Sequence, residues 1–295
     1  MKRTSLKVRS FAKINPALAV LGRRGDGYHN IQTLFQSIDL SDEMELHPAA
    51  GIEFSCEDLP GVRTEDNLAY KAAKALAAIV PGDRGVRISL KKNVPAGAGL
   101  GGGSSNAAAV LLGLCRFWSE SLPDSELFAI AASLGSDVPF FLSGGLALGS
   151  GRGEILSPLP DLQTQHLVAV FPGIHVPTAE AYCSLNLGLT SSTEDRRIQA
   201  LCGQIRSERR YPTRLFNDFE ASILAAHRPV MEAKSFLERL GARTPLLSGS
   251  GSCVFGFFPD EESATAAARK PADPAWRVFP AKTLSRSEYF RNMFG

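Results

Sequence analysis

Long apolar runs are missing from this sequence. The longest uninterrupted apolar stretches, such as residues 107–112, fall far short of the roughly 20 residues that a helix needs to cross a bilayer. Near the N-terminus, Lys13, Asn15 and Pro16 interrupt the segment that would have to be apolar in a signal peptide. We therefore expect a protein that neither spans a membrane nor is exported.

Paired cysteine motifs and a strong charge excess are also missing. The five cysteines are odd in number and none are spaced C-x-x-C, which argues against a disulfide framework or a structural zinc site and favours a reducing cytoplasm. The 32 Lys and Arg residues nearly balance the 30 Asp and Glu residues, which leaves a net charge of +2. So small an excess does not indicate nucleic acid as the main partner.

The composition is that of a globular protein with ample core. The 295 residues are 44% apolar and 21% charged, enough for one large or two medium domains. Strand and helix patterns do not alternate strictly, which favours an α+β fold. The texture of the sequence changes after Pro158-Leu159-Pro160, so we predict two domains, residues 1–160 and 161–295.

Hydrophobic periodicity predicts the individual elements. In the first strand, Leu6, Val8, Ser10, Ala12 and Ile14 should share one face. Further strands are predicted at residues 31–40, 43–46, 86–90 and 167–171, and helices at 68–79, 105–118, 124–134, 217–227, 229–240 and 261–268. The stretch 191–210 is polar, and the sequence leaves open whether it is ordered or does anything beyond linking its neighbours.

The densest motif is PAGAGLGGGSSNAAA at residues 95–109. Gly97 to Gly102 matches G-x-G-x-x-G, but Asp124 opens a helix where a dinucleotide fold needs an acidic residue ending a strand. A P-loop is also unsatisfactory, because Gly103 stands where the phosphate-binding lysine belongs. The remaining interpretation is a phosphate site formed by glycine N–H groups and the N-terminus of a helix, with a flexible linker as the alternative.

This loop resembles the ATP-binding loop of the GHMP small-molecule kinases, and the resemblance extends over nearly the whole chain. Other matching segments are Ala12–Asn15, Gly22–His29, Leu34–Gln36, Glu65–Leu68, Gly135–Pro139, Pro172–Pro177 and Leu247–Phe255. The resemblance implies a two-domain GHMP kinase fold, with an N-terminal ribosomal-S5-like ATP-binding domain and a C-terminal ferredoxin-like α/β sandwich. It also implies ATP and Mg²⁺ as cofactors.

Within the family, the resemblance points to the member that phosphorylates the 2-hydroxyl of a cytidine diphosphate sugar alcohol in non-mevalonate isoprenoid synthesis. A homoserine- or mevalonate-type kinase is one alternative. A non-catalytic nucleotide-sugar sensor on the same scaffold is another. Whether the protein is a monomer or a homodimer is left open by the sequence.

The resemblance implies that Lys13 and Asp137 flank the acceptor hydroxyl. Asp137 would accept or orient the hydroxyl proton, while Lys13 would keep Asp137 ionised and stabilise the developing negative charge. Taken without the resemblance, Asp137 would be the N-cap of a turn and Lys13 an exposed strand residue.

The implied nucleotide contacts comprise the glycine loop, the helix start and two residues outside them. They are Pro95, Ala96, Gly97, Ala98, Gly99, Leu100, Gly101, Gly102, Gly103, Ser104, Ser105, Asn106, Asn67 and Lys92. Asn67 has helix capping as its alternative role, and Lys92 a solvated strand end. No metal ligand is assigned, although Ser105 is a candidate for Mg²⁺.

The implied substrate contacts begin with a base pocket in which Tyr28 and Tyr182 sandwich the cytosine ring. His29 would read the Watson–Crick edge of the base. Asn15 is expected near the acceptor hydroxyl or the diphosphate, and Thr178 is a further contact. A second glycine loop, residues 248–252, would approach the diphosphate with Gly249 and Gly251.

Overall fold

The computed structural model describes residues 4–57, 62–82, 84–185, 195–269 and 271–294. Its strands are β1 (Leu6–Arg23), β2 (His29–His47), β3 (Ile52–Ser55), β4 (Val86–Lys91), β5 (Leu146–Ser150), β6 (Ile155–Pro158), β7 (His166–Phe171), β8 (Phe216–Asn217), β9 (Arg243–Leu247), β10 (Val254–Phe258) and β11 (Arg277–Lys282). Its helices are α1 (Leu68–Ala77), α2 (Gly102–Trp118), α3 (Asp124–Leu134), α4 (Val138–Ser143), α5 (Thr178–Cys183), α6 (Arg196–Glu208), α7 (Glu220–Ala226), α8 (Arg228–Arg239), α9 (Glu261–Ala268) and α10 (Arg286–Met293). Within these ranges, no helix has the length and hydrophobicity of a membrane span.

A seven-stranded sheet is built on the long antiparallel pair β1 and β2. The strand order is β3-β4-β2-β1-β8, with β5 pairing to β2 and β6 to β5. One end of β2 pairs with β4 and the other end with β5, so this single strand joins two parts of the sheet. The helices α1, α2, α3, α4 and α10 cover one face and bury the largest apolar cluster against it.

The predicted alternation along β1 holds for its first five residues and then ends. Lys7 and Arg9 are exposed, as expected, but every residue from Ser10 to Gly22 is buried. The reason is that helices cover one face of β1, while the second sheet packs on the other through Ala12 and Ile14. A strand buried on both faces loses the polar half of its alternation.

The second sheet has four antiparallel strands in the order β11-β7-β10-β9. On β7, Val168 and Val170 face one apolar cluster with α8 and α9, while Leu167 and Ala169 face the first sheet. In chain order the unit alternates strand, helices, two strands, helix and strand, which is the ferredoxin-like pattern. The predicted α+β fold and the ferredoxin-like C-terminal unit are thus confirmed.

The chain crosses between the layers after residue 160. Phe216 and Asn217 of β8 pair in parallel with β1, and Tyr289 of α10 is fully buried in the cluster of the first layer. These contacts join the two layers into one unit along the seam, the surface where the two sheets meet. The division at residue 160 stays a prediction.

Several elements were left open by the sequence, were not predicted, or begin elsewhere than predicted. The polar stretch 191–210 contains α6, whose Ile198, Leu201 and Ile205 are buried against the first sheet, whereas 191–194 lie outside the described residues. Asn217 lies in β8, so α7 begins only at Glu220. The strand β11 and the helix α10 were not predicted.

Candidate active site

A cleft of about 800 Å³ lies where the two layers meet. Its volume is within the range typical of small-molecule sites. Its lining includes the glycine loop ahead of α2, the second glycine loop packed against it, and α5. The strands β1 and β2 supply the floor, which carries Lys13, Asn15 and Thr33.

The glycine loop alternates between the cleft and the core. Gly97, Gly99 and Gly101 line the cleft with φ values of 63°, 77° and 69°, a region that favours glycine. Ala98 and Leu100, between them, are buried in the seam between the sheets. A Cβ at residue 99 would lie 2.0 Å from the Ser248 carbonyl oxygen, so close packing as well as backbone conformation requires glycine there.

Four consecutive carbonyl groups of this loop are held by the rest of the protein. The Gly97 oxygen lies 3.0 Å from His175 Nδ1, and the Ala98 oxygen accepts from the Cys253 N–H at 3.1 Å. The Gly99 oxygen accepts from Ser248 Oγ, and the Leu100 oxygen from the Lys13 N–H, both at 3.0 Å.

The N–H groups of the loop are correspondingly unused. In a trans peptide, the C=O and the following N–H point in opposite directions. The N–H groups of residues 98–104 find no acceptor within the described parts of the chain. The loop and the first turn of α2 therefore present a set of free donors at a helix N-terminus, the arrangement that binds phosphate.

Three of the predicted nucleotide residues make buried contacts within the protein. Ser105 is fully buried and its hydroxyl donates to the Phe11 carbonyl at 2.6 Å, so Ser104, which lines the cleft, is the serine that faces it. The Asn106 amide is buried and donates to Ser10 Oγ and to Asp42 Oδ2. Neither Ser105 nor Asn106 reaches the cleft.

Lys92 belongs to the same buried network as Asn106. Its ammonium pairs with the fully buried Asp42 carboxylate and lies 3.0 Å from Asn106 Oδ1. Asp42 also accepts the N–H groups of Asn93 and Val94, each at 2.7 Å. The network supports the end of β4 that leads into the glycine loop. Lys92 therefore does not lie at a solvated strand end.

Five other predicted contacts lie outside the cleft. The Asn67 side chain accepts the Ala69 N–H at 2.9 Å and caps α1, which is its alternative role. Pro95 is buried, while Ala96, Gly102 and Gly103 flank the loop without lining the cleft.

Lys13 and Asp137 meet in the middle of the cleft. Lys13 Nζ lies 3.5 Å from Asp137 Oδ2 and 2.5 Å from Asn15 Oδ1. Burial lowers the pKa of the Lys13 ammonium, and the Asp137 carboxylate opposes that shift because it favours the charged form. Asp137 stands at the N-cap position of α4, but its side chain caps no backbone N–H. Helix capping therefore does not explain this residue.

Asn15 is fixed by the floor of the cleft. Its amide donates to Thr33 Oγ1 at 2.8 Å, which directs Oδ1 towards Lys13. The second glycine loop comes close on the other side: a Cβ at Gly249 would lie 3.3 Å from Lys13 Nζ and 3.4 Å from Asn15 Oδ1. Gly249 and Gly251 both line the cleft, with φ of 57° and 90°.

Asn217 is a supporting residue that the sequence did not reveal. Its buried amide donates to the carbonyls of Leu247 and Gly249, both at 2.8 Å, and its oxygen accepts the Phe219 N–H. These bonds set the second glycine loop. No local motif could have identified Asn217, because its partners are distant in sequence.

The other half of the cleft is aromatic. Tyr28, His29 and Tyr182 all line it, as predicted for a base pocket. However, Tyr182 stacks on His29 with centroids 4.5 Å apart, and Arg152 covers the Tyr28 ring at 4.7 Å. Tyr28 itself is 55% exposed. The predicted sandwich of Tyr28 and Tyr182 is therefore not preformed.

The protonation states of this half follow from burial. Burial, aided by the Arg23 charge, lowers the pKa of His29, so its ring is neutral at neutral pH and offers one donor and one acceptor. Burial and the Asp137 charge raise the pKa of the Tyr182 phenol to about 12.

Thr178, at the start of α5, contacts the second glycine loop. Its hydroxyl oxygen lies 3.1 Å from that of Ser250.

Comparison with known proteins agrees with this geometry. The model of the GHMP kinases N terminal domain matches residues 67–145, and that of the GHMP kinases C terminal domain matches residues 208–274. The chain belongs to the GHMP kinase family. As a member of this family, it is an ATP-dependent small-molecule kinase.

Relatives within the family are similar over most of the chain. The 4-diphosphocytidyl-2-C-methyl-D-erythritol kinase of Chlorobium phaeobacteroides (strain BS1) is 41% identical over 90% of this chain and 93% of its own length. That of Solibacter usitatus (strain Ellin6076) is 42% identical over 87% of this chain and 82% of its own length. A crystal structure of 4-(cytidine 5'-diphospho)-2C-methyl-D-erythritol kinase has a TM-score of 0.79 at 36% identity, covering 94% of this chain and 99% of that one.

Proposed function

We propose that this kinase transfers the γ-phosphoryl group of ATP to the 2-hydroxyl of 4-diphosphocytidyl-2-C-methyl-D-erythritol. The products are the 2-phosphate and ADP, in non-mevalonate isoprenoid precursor synthesis. The relatives that are about 40% identical bear the name of this activity. The chain keeps both halves of the site that such a reaction needs.

One observation carries the proposal. The Lys13–Asp137 pair lies in a single cleft between a wall of free N–H donors and a wall of aromatic rings. The donors suit the phosphates of ATP, and the rings suit a nucleobase, because base–aromatic stacking contributes on the order of 1–3 kcal/mol. The reacting hydroxyl and phosphoryl group would therefore meet at the pair.

In this reaction the acceptor oxygen forms a bond to the γ-phosphorus while the bond between that phosphorus and the β,γ-bridging oxygen breaks. Asp137 would orient the acceptor hydroxyl and take its proton as the new P–O bond forms. Lys13 would stabilise the negative charge that develops between the two oxygens. Asn15, which is hydrogen-bonded to Lys13 and Thr33, would hold the ammonium in place.

We propose that Mg²⁺ enters as part of the Mg-ATP substrate. Within the described ranges, no group of three His, Cys, Asp or Glu side chains is arranged to hold a metal ion. Phosphate oxygens and water would supply most of the ligands, as is usual for Mg²⁺. Ser104 and Asp137 line the cleft and carry side-chain oxygens of the kind that binds Mg²⁺.

Two alternatives are weaker. The homoserine kinase from Cytophaga hutchinsonii shares the fold with a TM-score of 0.67, but at 17% identity that likeness concerns the fold alone. A homoserine or mevalonate acceptor leaves Tyr28, His29 and Tyr182 without a role. A non-catalytic sensor leaves Lys13 and Asp137 without one.

The test is ADP release by the purified protein with Mg-ATP. The acceptors would be 4-diphosphocytidyl-2-C-methyl-D-erythritol and, as controls, methylerythritol phosphate, mevalonate and homoserine. We expect turnover with the cytidine diphosphate substrate alone. Turnover with mevalonate or homoserine would overturn the acceptor and its aromatic pocket, while nucleotide binding without turnover on any acceptor would favour the sensor.

A further inference from the structure

The anchors of the glycine loop differ in kind. Two of the four carbonyl bonds come from backbone N–H groups, of Lys13 and Cys253, which no side-chain substitution removes. Ser248 contributes a hydroxyl from the second glycine loop. The bond to Gly97, the first of the four carbonyls, comes from the imidazole of His175. The resemblance to the family assigned no role to this residue.

The residues on either side of the exposed His175 are held in place although they lie on a loop. The carbonyl of the preceding Ile174 accepts a hydrogen bond from the fully buried Ser252 hydroxyl, and the following Val176 is buried in the second layer. Both neighbours of His175 are thus fixed, and the ring points across the cleft at Gly97. A Cβ at residue 97 would lie 2.2 Å from His175 Nδ1, so the ring and the glycine fit only each other.

We propose that His175 is a positioning residue for the nucleotide loop. Its Nδ1–H holds the Gly97 carbonyl, which turns the Ala98 N–H to the opposite side of the peptide and into the set of free donors. The inference rests on the proposed nucleotide site and extends it, since it assigns one side chain from the second layer to the shape of that site. His175 acts through Gly97 and needs no contact with ATP.

Without the His175 bond, the Gly97–Ala98 peptide loses the contact that fixes its orientation. Gly97 has φ of 63° and no side chain, so its backbone has few other restraints. The other three anchored carbonyls keep theirs. We therefore expect a loss limited to nucleotide affinity, about three- to tenfold, which is the range that one hydrogen bond supports.

The experiment compares three substitutions at this position by equilibrium binding of the non-hydrolysable analogue AMP-PNP with Mg²⁺. His175→Ala removes the donor. His175→Asn places an amide N–H at the position of Nδ1, whereas His175→Gln places it at that of Nε2. His166→Asn is the matched control, because His166 opens β7, outside the cleft.

We expect the alanine and glutamine variants to bind AMP-PNP about three- to tenfold more weakly, the asparagine variant to regain most of the affinity, and the control to match the wild type. The KM of the acceptor should not change. An equal loss in the asparagine variant would overturn the inference. A rise in the acceptor KM that matches the loss of AMP-PNP affinity would also overturn it. Such a rise would mean that the substitution disorders the segment ahead of α5 as a whole and does not act through Gly97 alone.

The outcomes also separate this inference from the proposed function. If the wild type binds AMP-PNP and the alanine variant binds it equally well, the role of His175 is wrong and the nucleotide site stands. If the wild type does not bind AMP-PNP, the nucleotide site itself is refuted, and the role of His175 with it.

Discussion

The two halves of the cleft are organised differently. In the nucleotide half, the backbone already holds its binding conformation, because four carbonyls are anchored and the N–H groups face outward. In the aromatic half, neighbouring side chains cover the ring faces: Tyr182 stacks on His29, and Arg152 covers Tyr28. The first half is set by the fold, whereas the second must rearrange when a base enters.

This difference indicates how the kinase divides its work. A preorganised set of donors costs little to use and suits a phosphate chain that every kinase of the family must bind. In the aromatic half, the acceptor must first displace the contacts that the side chains make with one another. Substitutions in the two halves should therefore affect different substrates, and the following experiments test that separation.

The largest effect is expected at the point where the two halves meet. Asp137→Asn should lower kcat about 10²- to 10⁴-fold, the contribution of a general base, because the amide cannot accept the hydroxyl proton. AMP-PNP affinity should stay within about twofold. Steady-state ADP release and AMP-PNP binding measure the two quantities.

Asp124→Asn is the matched control, since Asp124 is exposed in the first turn of α3, outside the cleft. Its kcat should equal that of the wild type. Near-normal kcat in Asp137→Asn would remove Asp137 from the chemistry.

In the nucleotide half, Gly99→Ala should raise the Kd of AMP-PNP at least about tenfold and lower the melting temperature. The alanine Cβ would meet the Ser248 carbonyl at 2.0 Å, and a φ of 77° costs about 1–2 kcal/mol with a side chain. Thermal unfolding and AMP-PNP binding are the measurements. Gly203→Ala, in α6 with open space around it, should instead be neutral or stabilising by up to about 1 kcal/mol. Unchanged AMP-PNP affinity in Gly99→Ala would show that the loop is not preorganised.

In the aromatic half, Tyr182→Ala should raise the acceptor KM about five- to 150-fold, which corresponds to one base–aromatic stack of about 1–3 kcal/mol. The affinity for AMP-PNP should not change. Tyr182→Phe keeps the ring and should stay within a few-fold of the wild type. An equal loss in both variants would mean that the hydroxyl, and not the ring face, contacts the acceptor.

The smallest effect is a pH dependence in the aromatic half. Burial lowers the pKa of His29 from its ordinary value near 6.5, so its neutral form is present at neutral pH and is lost only as the pH falls through that lowered pKa. The acceptor KM should therefore be constant from pH 8 to about 6.5 and rise in more acidic solution. Measuring the profile in His29→Asn provides the control, and an unchanged acidic rise in that variant would assign the titration to another group.

The sequence carried enough information for the loop and the fold class, but not for which serine faces the cleft. Expecting α2 to begin at Ser105 placed that residue and Asn106 at the helix start, next to the phosphates. The helix begins at Gly102, with no side-chain cap to mark the position, and this earlier start turns Ser105 and Asn106 into the core.

Other errors have similarly specific causes. Pro280 obscured β11 as a strand and is tolerated because β11 is the edge of its sheet. The capping box of Ser285 and Glu288 was the available signal for α10. Contacts such as His175 with Gly97, or Asn217 with Gly249, join distant parts of the chain, and no local pattern predicts them.

The central claim is that one cleft brings ATP and the cytidine diphosphate acceptor together at Lys13 and Asp137. A crystal structure with AMP-PNP and 4-diphosphocytidyl-2-C-methyl-D-erythritol tests it most directly. We expect the phosphates on the N–H groups of residues 98–104, the 2-hydroxyl within hydrogen-bond distance of Asp137, and the cytosine stacked against Tyr182 after it has parted from His29. Phosphates bound elsewhere, or a 2-hydroxyl out of reach of Asp137, would contradict the account.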